Sequence, residues 1–109
     1  MAYDEDLAAR VRAILDATEG YSEKKMFGGI CCLVNGNMAC GITGDSLIVR
    51  VGKEGYEAAL NLPHTSEFDM TGRVMTGWVM VGPSGIASQA ALKQWLITGV
   101  QFASSLQPK

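Results

Sequence analysis

The residues of this sequence best suited to recognition chemistry are Lys24, Lys25, Arg50, Arg73 and Trp78. Basic and aromatic side chains on strands of one sheet can hold an anion or a nucleic-acid strand, the cation on phosphate and the ring on a base. The plainer reading is a charged sheet face paired with local acids, because few further aromatics are interleaved. The other reactive residue types converge less well. His64 is the sole histidine and follows Pro63 in a polar connection, so a Cys-His nucleophilic pair would have to use a residue that reads as solvated. Cys31, Cys32, Cys40 and His64 could compose a three-thiolate, one-imidazole zinc set. Structural zinc sites favour Cys-x-x-Cys knuckles, however, and adjacent strand residues point to opposite faces, so the cysteines read as reduced, apolar strand residues. Glu54 with Glu57, and Glu67 with Asp69, read as surface acids. Neither Gly-x-x-x-x-Gly-Lys nor Gly-x-Gly-x-x-Gly occurs. The expectation is a protein that binds rather than catalyses, with no catalytic residues, metal or cofactor.

Composition narrows the class. A chain of 109 residues is one domain, residues 1–109, large enough for a single core. With 48% hydrophobic and 18% charged residues it falls among ordinary globular proteins rather than disordered ones. No run approaches the length of a membrane span, and Met1 to Gly20 is acidic and amphipathic rather than a basic, apolar leader, so a cytoplasmic location is expected. A net charge of −2 does not supply the clustered cations that neutralising a duplex backbone requires. Tight autonomous DNA binding is not expected.

The elements that must position these residues follow from periodicity. Leu7, Val11, Ile14, Leu15 and Thr18 form one stripe of a helix over Asp4 to Thr18, with acids at its start and Gly20 available for a left-handed stop. Strands follow at Glu23 to Phe27, Ile30 to Val34, Met38 to Ile42 and Ser46 to Val51, with Gly28-Gly29 permitting a bulge or bend. Asn35-Gly36 predicts a type I′ hairpin, since both central residues need φ > 0. A two-residue turn would place Cys31 opposite Cys40, and a three-residue loop would place Cys32 there. Lys53 to Leu62 reads as a short helix stopped by Pro63, His64 to Met75 as irregular with Phe68 and Met70 alternating as in a brief strand, and Gly77 to Val81 as a strand. Ser88 caps a last helix with apolar positions at Leu92, Trp95, Leu96, Gly99, Val100, Ala103 and Leu106, and Gln107 to Lys109 reads as a frayed tail. The predicted fold class is α+β, a two-layer domain with a mainly antiparallel sheet of about five strands and helices packed on it, in α-β-β-β-β-α-β-α order.

Lys25-Met26-Phe27-Gly28-Gly29, the Asn35-Gly36 hairpin, Leu47 to Val51 and Gly72 to Val79 occur in an order that resembles the TfoX (Sxy) N-terminal domain family. The likeness runs on through Leu92 and Trp95 to Leu106. The resemblance implies a bacterial domain of secretion-chaperone-like architecture and a regulatory or protein-interaction role, with influence on transcription through protein contacts. It implies an unidentified protein partner, with a homodimer as a further option. The family's namesake regulates natural-competence genes and carries a C-terminal domain, which would begin where this chain ends. A small-molecule or anion-binding sensor using Arg50 and Arg73, or an uncharacterised enzyme, are the alternatives.

Overall fold

A computed structural model describes residues 3–26, 29–70 and 72–108, with the side chains of Met26 and Met70 outside the description. Asp4 begins the first helix: its side chain accepts from the backbone N–H groups of Asp6 and Leu7, and α1 runs Glu5–Leu15. Leu7, Ala8, Val11 and Leu15 form its buried stripe. The helix ends before Gly20, which is left-handed (φ 80°) but serves a different purpose from the predicted helix stop. Its carbonyl accepts from the Asn35 N–H at 3.0 Å, and a side chain there would meet Asn35, so it seats the chain against the next hairpin.

Four strands follow: β1 (Tyr21–Met26), β2 (Gly29–Val34), β3 (Asn37–Thr43) and β4 (Ser46–Arg50). The first begins two residues before the predicted Glu23; Phe27, its predicted end, and Gly28 of the Gly28-Gly29 pair expected to bulge or bend lie outside the described residues. The β2–β3 turn forms at Asn35 (φ 53°) and Gly36 (φ 83°), as the type I′ turn requires. Val34 faces Asn37, which is the two-residue register, yet Cys32 and not Cys31 faces Cys40. A bulge after Cys32 inserts Ala39 between the pairs Leu33–Met38 and Cys32–Cys40, so local irregularity sets the cysteine pairing.

After α2 (Gly52–Leu60) come β5 (Thr65–Met70) and β6 (Arg73–Val81), then a 3₁₀ turn over Pro83–Gly85 and α3 (Gln89–Ser104). The sheet has six strands rather than about five, in the order β1-β2-β3-β4-β6-β5, every neighbour antiparallel. The addition is β5, within the stretch that looked irregular. Its edge position leaves one side of its backbone unpaired, which suits polar residues such as Ser66, Glu67 and Asp69. Thr65 fixes its start by donating to the Leu62 carbonyl at 2.7 Å, beneath the end of α2.

The helices lie on one face. Ile30, Cys32, Cys40, Ile42, Leu47, Val49, Val79 and Val81 from the sheet join Leu7, Val11 and Leu15 of α1, Ala59 of α2, and Leu92 and Leu96 of α3 in one buried cluster. Ser88 caps α3, accepting from the Ala91 N–H at 3.1 Å. Arg10 ties α1 to this end of α3, donating to the Ile86 carbonyl at 2.7 Å. Gly99 lets α3 approach β3 so closely that a Cβ there would collide with the Ala39 carbonyl oxygen. The expected frayed tail is partly held, since the buried Asn37 amide donates to the Gln107 carbonyl at 2.9 Å.

Candidate functional site

Strand alternation assigns the opposite face of the sheet. If Ile30, Cys32, Cys40, Ile42, Leu47, Val49, Val79 and Val81 face the helices, then Cys31, Gly41, Ile48 and Met80, which sit side by side across β2, β3, β4 and β6, face away. Ser22 and Lys24 extend this face onto β1, Leu33 and Met38 onto the hairpin end, Ser66 and Phe68 onto β5, and Arg50 and Trp78 toward the ends of β4 and β6. Cys31, Ile48 and Phe68 belong to neither helix-side cluster. They are nonetheless only 6%, 6% and 8% exposed, so neighbouring side chains must shield them. Gly41 shows how: a Cβ there would lie 2.9 Å from Met38 Cε, so the methionine lies across the space that the glycine leaves. The centre of this face is thus apolar and roofed by a flexible thioether. The strand positions named here hold two cations, Lys24 and Arg50, and no carboxylate.

At the far end of this face Arg50 is the best-ordered cation. Its guanidinium carbon is 5.1 Å from the centroid of Trp78 and 5.2 Å from that of Phe102 on α3, so the group packs against two rings. One Nη1 donor reaches the Met38 carbonyl at 3.4 Å. The backbone makes room for this arrangement at Gly52. That residue is left-handed (φ 81°), and a side chain on it would lie 2.5 Å from the Phe102 ring. Gly77, also left-handed, accepts from the Val51 N–H at 2.8 Å and aligns β6 beside the start of α2. Between these segments lies an open cleft of about 590 Å³ lined by Arg50, Lys53, Glu54, Gly77, Trp78 and Phe102, among others.

Of the five residues singled out in the sequence, the structure therefore joins Arg50 and Trp78. Lys24 shares their face but sits on edge strand β1. Lys25 alternates to the helix side, because Ile30, its partner on β2, lies in the helix-side cluster. Arg73 is exposed at the β5–β6 hairpin opposite Met70 and does not line the cleft. Phe102 and Lys53 were missed. The α3 stripe marks Phe102 as a position between core residues, and only the tertiary approach of α3 to Gly52 brings it over Arg50. His64 lies elsewhere, with a left-handed backbone (φ 66°), lining a groove of about 510 Å³ with Leu62, Pro63 and Trp95.

A second polar cluster sits at the β1 edge. Arg12 of α1 contacts Glu23 at 2.9 Å, and the Tyr21 hydroxyl donates to the same carboxylate at 2.9 Å. The Arg12 hydrogen bond, above all, holds Glu23 below the ordinary carboxylate range. All three cysteines are free and buried. The hydrogen bond between the Cys32 and Cys40 thiols lowers Cys32 and, with complete burial, raises Cys40. Burial raises Cys31. Among the described residues no group of three or more His, Cys, Asp or Glu side chains could hold a metal ion.

No helix among the described residues is long and apolar enough to cross a membrane. Neither a curated protein nor a solved structure matches the chain. The order of hairpin, Arg50 strand, Trp78 strand and closing helix has a counterpart, however: the family model of the TfoX N-terminal domain matches residues 13–103 of the 109, and the chain belongs to that family.

Proposed function

We propose that this chain is a regulatory protein-interaction module that acts by binding rather than catalysis, docking an acidic, amphipathic segment of a partner protein on the helix-free face of its sheet. The observation that carries this reading is the composition of that face: half-buried Leu33, Met38 and Met80 over a buried floor of Ile48 and Phe68, beside Lys24 and, at one end, Arg50. An apolar surface with Lys24 and Arg50 at its margins is complementary to a segment with apolar side chains and carboxylates. Met38 and Met80 can re-pack around an incoming side chain at small cost, which suits a surface that must adapt. Trp78 and Arg50 are residue types that often dominate binding energy, and they lie at one end of the face. The chemistry of the cysteines favours the same conclusion, because Cys32 and Cys40 are sealed in the core, at 1% and 0% exposure, rather than presented to a substrate. Through such a contact the module influences transcription as part of a larger bacterial assembly.

Affinity capture from bacterial lysate with paired variants tests this. The wild-type chain and Ile97→Asp, altered on exposed α3, should retain a common partner, whereas Leu33→Asp and Met80→Asp should lose it while keeping the wild-type circular dichroism spectrum. Lys24→Glu should weaken capture at low salt, and the difference from wild type should shrink as salt rises. A folded pair of face variants that still captures the partner would defeat the proposal.

A further inference from the structure

A guanidinium has five N–H donors arranged in a plane. In Arg50 the guanidinium carbon lies 5.1 Å from the Trp78 ring centroid and 5.2 Å from that of Phe102, so two rings hold the group and restrict where its donors can point. The Met38 carbonyl takes one of them in a long contact of 3.4 Å. Among the described residues the ion pair present is Arg12–Glu23, so no carboxylate neutralises Arg50. Two rings crowd the group, and its remaining donors are left beside a cleft of about 590 Å³ that Arg50 itself lines. Lys53 lines the same cleft and adds a second positive charge, while Glu54 on the same wall subtracts one. Gly55 and Gly77 leave stretches of wall without side chains, so a ligand can lie against backbone.

We infer that this cleft is a binding site for a small organic oxyanion, a phosphate monoester in preference to a monocarboxylate, gripped by the edge of the clamped Arg50 guanidinium. A clamped guanidinium is a preorganised fork for two oxygens of a phosphate and loses little side-chain entropy on binding. Arg50 and Lys53 can each meet a different oxygen of one phosphate group, which a monocarboxylate with two oxygens satisfies less fully, while Glu54 offsets one of the two charges. The volume falls in the range of small-molecule sites, leaving room for a ring-sized body beside the phosphate. The site does not depend on the partner reading, and its test contains no partner.

The test is an amide NMR titration of the full chain with phenyl phosphate, benzoate and inorganic phosphate as probes. Phenyl phosphate should give saturable shifts at Lys53, Gly55, Gly77 and the Trp78 indole, at lower concentration than either comparator. Arg50→Gln should weaken it by about tenfold or more, the scale expected when a bidentate charged contact is lost. Because Arg50 also joins β4 to α3, two exposed substitutions keep the test independent of folding: Lys53→Gln should weaken the probe several-fold and Glu54→Gln should strengthen it. Absence of saturation at about 10 mM phenyl phosphate, an affinity too weak for the geometry described, would overturn the inference. Shifts confined to Lys24 and Lys25, or benzoate binding as well as phenyl phosphate, would do so too.

Discussion

The Tyr21 hydroxyl has one proton and two neighbours, the Glu23 carboxylate at 2.9 Å and Cys32 Sγ at 3.8 Å. The shorter, charge-assisted bond to Glu23 dominates, with the thiol sulfur a distant second acceptor of the same hydroxyl. Burial in turn raises Tyr21 itself, and its hydrogen bond to Glu23 adds to the shift. Three acids of this region, Tyr21, Cys31 and Cys40, are thus raised in the folded state and one, Cys32, is lowered. Raised groups stabilise the fold below their unfolded pKa and lose that contribution as pH rises, since the unfolded chain ionises first. Thermal unfolding midpoints should therefore fall as pH climbs above about 8.5, the ordinary thiol value. A flat profile from pH 8 to 10 would contradict the burial of these groups. Tyr56 offers a second check, because its buried hydroxyl has no partner among the described residues. Tyr56→Phe should leave stability unchanged or raise it by up to about 1 kcal/mol, read by urea denaturation.

At the scale of elements, glycines decide how closely helices approach the sheet. Gly99→Ala would drive a Cβ into the Ala39 carbonyl and push α3 from β3, costing about 1–3 kcal/mol in chemical denaturation. Gly52→Ala would combine a left-handed backbone with a ring collision, so a similar loss is expected, accompanied by altered Trp78 fluorescence as Phe102 shifts. Neither constraint could be read from the sequence, where Gly99 looks like one more apolar position of a helix stripe. The Asn35-Gly36 turn and the Ser88 cap were legible because each is a local signal, satisfied within a few residues. The strand β5 was legible only in the alternation of Phe68 and Met70, because an edge strand keeps few apolar residues. The Cys32–Cys40 register depends on a bulge that no turn residue announces. Likewise Arg50 and Trp78 stood out as a cation and a ring on strands, whereas their third member, Phe102, is contributed by an element fifty residues away in the chain.

At the scale of the whole molecule, a one-sided domain follows from placing all three helices over one face of a six-stranded sheet. The charge is distributed with the same asymmetry. Lys24 sits at one edge, Arg50 lines a cleft and Arg73 lies at a hairpin, so these three cations do not form one continuous track. Duplex DNA should therefore bind no more tightly than the weak end of the non-specific range, roughly 10⁻⁴ M at physiological salt, in an anisotropy titration. Submicromolar binding lost on Arg50→Ala would reassign the open face to nucleic acid. The measurement that bears most directly on the central claim is site-specific photo-crosslinking in living bacteria, with a benzophenone amino acid placed at Met80, Leu33 or, for comparison, Ile97. The account predicts one partner protein attached at 80 and 33 and absent at 97, joined through a peptide rich in Asp, Glu and apolar residues. Attachment at 97 alone, or through a basic peptide, would contradict it.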